Sequence, residues 1–247
     1  MIRFLHAEWT KLRTLPSTWW LLAATVVLTV AVGAAAASSI TTQVCHSAQP
    51  CQEDTVKLSL TGVWLGQATC LVLGVLSMGA EYGTGTIRTT LTAMPARWRV
   101  LAAKAAALAL LTAATGALAI TTALWTAKLI LPVQGPTLRA TTGSILILTL
   151  VAVLGLALAT LLRDTAGGII LGLALLYVVP LTIDLIHSPT WQHRLQRWTP
   201  MPAALSIQAT RDLNHLPIGP WPGLGVLAAY AVGLLVFGGA VFRLRDA

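Results

Sequence analysis

The chain has 247 residues, of which 56% are apolar and only 10% charged, with a net charge of +8 and three cysteines. Ordinary soluble domains carry roughly a quarter charged residues, so this composition excludes one. The basic residues form no single patch, so the positive charge reads as topology and lipid contact rather than nucleic-acid binding.

In residues 1–17, the stretch IRFLHAEWTKL places Ile2, Leu5, Trp9 and Leu12 within about 80° of one another on a helix. Arg3, Glu8 and Lys11 fall elsewhere on the wheel, while Phe4 and Arg13 break the pattern and Arg13 would have to snorkel. The pattern predicts an interfacial helix ended by Pro16, with Trp9 at headgroup depth; a solvated N-terminus is the alternative. The first apolar run, 18–37, ends in small residues, AVGAAAASS, that resemble a signal-peptide cleavage site. Its length and the long segment before it instead predict a retained span.

Charge then disappears for three long intervals. No Asp, Glu, Lys or Arg occurs from Leu58 to Ala80, Ala105 to Ala127 or Ala140 to Leu162, 23 residues each. A helix of that length reaches about 34 Å, against a hydrocarbon core of about 30 Å. Lipid offers the backbone no hydrogen bonds, so helices are the expected solution. The reading is an all-α integral membrane protein, one membrane domain over 1–247. Its spans fall near 18–37, 59–80, 105–127, 141–162, 165–186 and 223–242.

With the N-terminus inside, ten of the 16 Lys and Arg residues flank the spans on the cytoplasmic side, which predicts that both termini face the cytoplasm. The first outer loop carries Cys45 and Cys51 in CHSAQPC, where a disulfide is expected. His46 beside them leaves too few ligands for a metal site. Cys70 lies inside the second span.

LLRDTAGG joins the fourth and fifth spans tightly. Asp184, near the outer end of the fifth, is the acid inside a span, and such a residue marks a functional site by default. Its competing reading is a shallow, wet position, because His187 and Pro189 follow so soon. In the outer loop 187–222, Trp191, Leu195 and Trp198 recur at helical spacing, and Pro200 and Pro202 can start another helix. Short helices at or dipping into the outer interface are expected. The pairs Gly62/Gly66 and Gly168/Gly172 suit close helix contact without defining a dimer face.

Catalytic signatures are missing. There is no GxSxG, HExxH or CxxC, and none of the four lysines precedes Ser or Thr, which excludes a phosphate-binding GxxxxGK[ST] loop. An enzyme is therefore not expected, nor a cofactor on this chain. Any ATP and Mg would be held by a partner.

The unusual segment is 81–104, EYGTGTIRTTLTAMPARWRVLAAK. Glu81 ends the second span, Gly83 and Gly85 let the chain turn, and Thr84 or Thr86 can cap a short helix. Ile87, Leu91 and Met94 then share one exposed apolar face at i, i+4, i+7. Pro95 stops that helix and opens the next, where Arg97, Arg99 and Lys104 meet the headgroups. A short helix with an apolar face on the cytoplasmic side is what docking into a partner's groove needs. A solvated basic loop is the plainer reading.

EWTKLRTLPSTWWLL at 8–22, followed by the 81–104 segment, resembles actinobacterial membrane subunits of the type-2 ATP-binding-cassette permeases. The residues that carry the resemblance are Glu81, Gly85, Thr86, Ile87, Arg88, Pro95, Arg97 and Lys104, and its layout covers the whole chain. It implies a permease subunit in the bacterial plasma membrane that works as a homodimer or heterodimer. Each subunit would dock on a separate ATP-binding subunit, mostly for export, and 81–104 would couple the two. A stand-alone membrane immunity or sensor protein without an ATPase is the alternative.

Overall fold

Long runs of Leu, Ala and Val leave the backbone no hydrogen-bonding partner except itself, and the chain answers with helices throughout. The computed structural model describes residues 9–11, 13–43, 54–87, 97–130, 137–211, 213 and 216–244, and no strand occurs among them. In chain order the elements are α1 (Pro16–Gln43), α2 (Thr55–Ser59), α3 (Val63–Gly83), α4 (Arg97–Ile130) and α5 (Thr137–Leu162). Then come α6 (Thr165–Leu173), a π-helical turn (Ala174–Val178), α7 (Val179–Asp184), α8 (Pro189–Trp198), α9 (Pro200–Leu205), a 3-10 turn (Ser206–Gln208) and α10 (Pro220–Leu244).

Six stretches of these helices are long and apolar enough to cross a bilayer: Pro16–Ser39, Val63–Gly83, Trp98–Ile130, Thr137–Leu162, Thr165–Asp184 and Pro220–Phe242. The architecture is that of a multi-pass helical membrane protein. Most boundaries differ by a few residues from the hydropathy reading. The second span starts at Val63 rather than 59, because Asp54 caps a separate short helix, α2. The helix carrying the third span starts at Arg97, ahead of its charge-free run, as expected of a helix opened after Pro95. Caps and prolines begin helices, and charge-free runs begin where lipid does.

The α5 helix is the hub, packing on α3, α10, α4 and α6, while α1 packs on α4 and α3. The most apolar window of α5 is 61% buried, against 22% in the fifth span and 28% in the first and sixth. The fifth, first and sixth spans therefore present most of their apolar surface outward. In lipid, apolar burial alone does not drive helices together, and close van der Waals approach at small residues takes over. The α3–α5 crossing shows it. A Cβ on Gly74 would stand 2.0 Å from the Ala152 carbonyl oxygen, and one on Gly155 would stand 2.3 Å from that of Leu71. Gly62 and Gly66 abut Thr29 of α1, and Gly168 and Gly172 abut Val75 and Leu71 of α3. Both glycine pairs read from the sequence are thus used within the chain.

Arg163 takes left-handed backbone (φ 56°) and turns α5 into α6. Asp164 caps the new helix by accepting the Gly167 N–H at 2.5 Å. Farther along the fifth span, Pro180 has no N–H to give the preceding turn. The helix widens just before it, and the Val179 N–H bonds to the Ala174 carbonyl five residues back. The expected short helices before the last span are α8 and α9. Trp191 and Trp198 of α8 are exposed, whereas Met201, Ala204 and Ile207 are buried, against α10 and α5. Of the predicted N-terminal helix, residues 1–8 and 12 lie outside the described residues; 9–11 and 13–14 are helical.

Candidate functional site

Glu81 stands in the last turn of α3, and Lys104 stands two turns into α4. Lys104 Nζ lies 2.9 Å from Glu81 Oε1. Lys11 Nζ, from the N-terminal segment, lies 3.0 Å from the same oxygen. Side-chain exposure is 3% for Lys104, 11% for Glu81 and 46% for Lys11. One carboxylate therefore joins three separate stretches of chain. Two cations on one anion leave a net positive cluster, and Glu81 Oε2 is buried without a hydrogen bond among the described residues.

This corrects the sequence reading in one respect. Lys104 was expected among the headgroups; it is buried and turned toward Glu81. An ammonium on a helix bordering lipid either snorkels or pairs, and the acid one helix away makes pairing possible. The buried ion pair lies between α3 and α4. Asp184 itself is exposed at the end of α7, accepting at 3.4 Å from Gln196 Nε2 of α8.

The rest of the end of α3 is organised around the same cluster. The Arg163 guanidinium lies 5.8 Å from the centre of the Tyr82 ring, a cation–π contact that ties the α5–α6 turn to α3. Thr84 closes α3 rather than opening a new helix: its backbone N–H and its hydroxyl both donate to the Ala80 carbonyl. The Thr84 and Thr86 hydroxyls are 2.9 Å apart. Gly85 has φ +71° with open space around it, as expected for the turn. Ile87 is 5% exposed, inside the apolar core. That overturns its placement on an exposed face: beyond the left-handed Gly85, the Ile87 side chain joins the buried apolar cluster, where it is removed from solvent. Arg88, Leu91, Met94 and Pro95 lie outside the described residues, as do Cys45 and Cys51. Arg97 opens α4, and Arg99 is exposed beside it.

At the opposite end is a site that the sequence reading missed. Asp54 Oδ1 accepts from the Lys57 N–H at 3.1 Å and the Thr210 hydroxyl at 2.6 Å. Its Oδ2 accepts from the N–H groups of Thr210 at 2.5 Å and Arg211 at 3.1 Å. Burial pushes this carboxyl up, but the bonds from Thr210, Lys57 and Arg211 outweigh it and hold the pKa below the ordinary 3.8. Arg139 Nη2 donates to the Ala209 carbonyl at 2.5 Å, and Gln208 Nε2 donates to Ser144 Oγ at 3.0 Å. Segment 206–211 is thereby pinned to both α2 and α5. The cap was legible, since an acid immediately precedes the apolar TVKLSL, but its second partner is 156 residues away.

Between the two ends, the Tyr177 hydroxyl in the π-helical turn donates to the Trp64 carbonyl at 2.5 Å, and the two rings meet edge-on at 5.4 Å. Among the described residues no group of three or more His, Cys, Asp or Glu could hold a metal ion. No family model matches the chain, and no curated protein matches it.

Proposed function

We propose that this chain is the membrane-spanning permease subunit of an ATP-binding-cassette exporter in a bacterial plasma membrane, with both termini cytoplasmic. A separate subunit would hold ATP and Mg, and a second permease subunit would complete the transporter. The observation that carries the reading is the Glu81 cluster. It binds the N-terminal segment, α3 and α4 together at the root of segment 84–96, so a push on that segment would move three elements as one. ATP-driven closure of the partner would tilt α3 and α4 and switch access between the two sides, with two global states biased by nucleotide. The arrangement of Gly, Thr, Pro and bases over 81–104 supports the same reading.

Burial of Ile87 changes the test. Ile87→Asp would damage the core, so the docking face is tested at Leu91 and Met94. Changing both to Asp is expected to abolish co-purification with a co-expressed ATP-binding-cassette subunit, while membrane insertion and thermal stability stay at wild-type level. Unchanged co-purification would refute docking through this segment. The same burial shortens the apolar docking face and favours the second reading, a stand-alone membrane immunity or sensor protein. A pull-down that recovers no ATP-binding subunit, together with full activity in cells lacking one, would establish that reading instead.

A further inference from the structure

A crevice of about 240 Å³ opens at the Glu81 end of the bundle, lined by Trp9, Arg13, Thr18, Trp19, Leu22 and Leu111. Its lining mixes one cation, one hydroxyl and apolar side chains. Arg13 and the two tryptophans come from the N-terminal segment and the start of α1. Thr18 lies in the first turn of α1, and Leu22 and Leu111 lie farther along α1 and α4. Arg13 is exposed and faces no carboxylate among the described residues, while Lys11 beside it is committed to Glu81. The Trp19 indole N–H donates to the Arg13 carbonyl at 2.9 Å, which fixes that ring against the backbone carrying the guanidinium. Thr18 is 3% exposed, and its hydroxyl has no hydrogen-bond partner among the described residues.

A guanidinium and two indoles where the chain enters α1, a spare hydroxyl in its first turn and leucines farther along α1 and α4 combine one positive charge with apolar surface, as an anionic lipid requires. We propose that the crevice is a binding site for an anionic phospholipid. Its phosphate sits on Arg13, its glycerol region meets Thr18, and the upper part of one acyl chain lies along Leu22 and Leu111. The volume holds that portion of a lipid and not a whole one, as a crevice open to the bilayer requires. A basic pocket between membrane helices is a recognised form of headgroup site, and the exposed Trp9 and Trp19 are residues that settle at the interface. The same lipid would brace the N-terminal segment that carries Lys11 to Glu81. This inference does not depend on an ATPase partner.

The test is native mass spectrometry of the full chain in detergent, titrated with phosphatidylglycerol or phosphatidylcholine of identical acyl chains. A retained phosphatidylglycerol, preferred by about fivefold as one basic residue gives, is the expected result. Arg13→Gln should erase the preference while leaving phosphatidylcholine retention unchanged, and Arg13→Lys should keep it. Leu111→Trp, which fills the crevice, should reduce retention of both lipids. No preference in the wild-type chain, or an unchanged preference in Arg13→Gln, would overturn the proposal. Arg13 is exposed and Gln is a good helix former, so that variant stays informative even if Leu111→Trp fails to fold.

Discussion

Lys104 and Glu81, which leave α4 and α3 on facing sides, meet at 2.9 Å with the lysine almost fully buried. A buried ion pair does little for stability by itself, but removing one partner strands the other charge. Glu81→Gln is therefore expected to lower unfolding stability by about 3 kcal/mol. The double change Glu81→Leu with Lys104→Leu should cost less than Glu81→Gln alone. Lys11→Ala, losing a half-exposed partner, should cost under about 1 kcal/mol. Unfolding of the purified chain in mixed micelles reads all three, and a double variant weaker than Glu81→Gln would show that the pair is not the isolated unit described.

Gly74 and Gly155 set the distance between α3 and α5. Gly74→Ala places a methyl group 2.0 Å from a backbone oxygen that no side-chain rotation can move. A loss of about 1–3 kcal/mol is expected, seen as a lower midpoint of thermal unfolding. Gly225→Ala and Gly233→Ala meet open space and should be neutral or slightly stabilising. Equal effects at all of these positions would mean the crossing is not glycine-limited.

Asp54 has a pKa held below 3.8 in the folded protein, so its contribution is fully present above that value. It is lost as pH falls through the lowered folded pKa. Asp54→Asn should cost about 1–2 kcal/mol at neutral pH through the cap and the ties to Thr210 and Arg211. It should also flatten the acid limb of the stability profile below pH 3.8. Thermal unfolding of both proteins across that range is the measurement. An acid limb unchanged in Asp54→Asn would assign it to other carboxylates.

Gly85 sits at φ +71° with nothing near its Cβ position, so a substitution there tests backbone strain alone. Gly85→Ala should destabilise by about 1 kcal/mol, and Gly85→Asn by less, since Asn tolerates the left-handed region. Limited proteolysis near segment 84–96 should report the altered turn.

Much of the membrane layout was legible without coordinates. Pro200, read as a helix start, opens α9, and the spacing of Trp191, Leu195 and Trp198 announced α8. The Gly85 turn was equally readable, because a glycine after the last polar turn of a span has few other uses. Direction was harder to read. Ile87 looked like the first residue of an exposed face, and Lys104 like a headgroup anchor. Hydropathy says where a helix runs and leaves open which way each side chain points.

The sequence by itself determined that this chain crosses a bilayer repeatedly as helices. The cost of burying charge and unpaired backbone in hydrocarbon is local, and each charge-free run meets it alone. Only the tertiary structure decided that Glu81 gathers Lys11 and Lys104, that Asp54 holds Thr210 across the chain, and that Ile87 turns inward. These helices are apolar nearly all round, so no periodicity marks a face, and the choice falls to neighbours brought near by glycine contacts and turns far away in sequence.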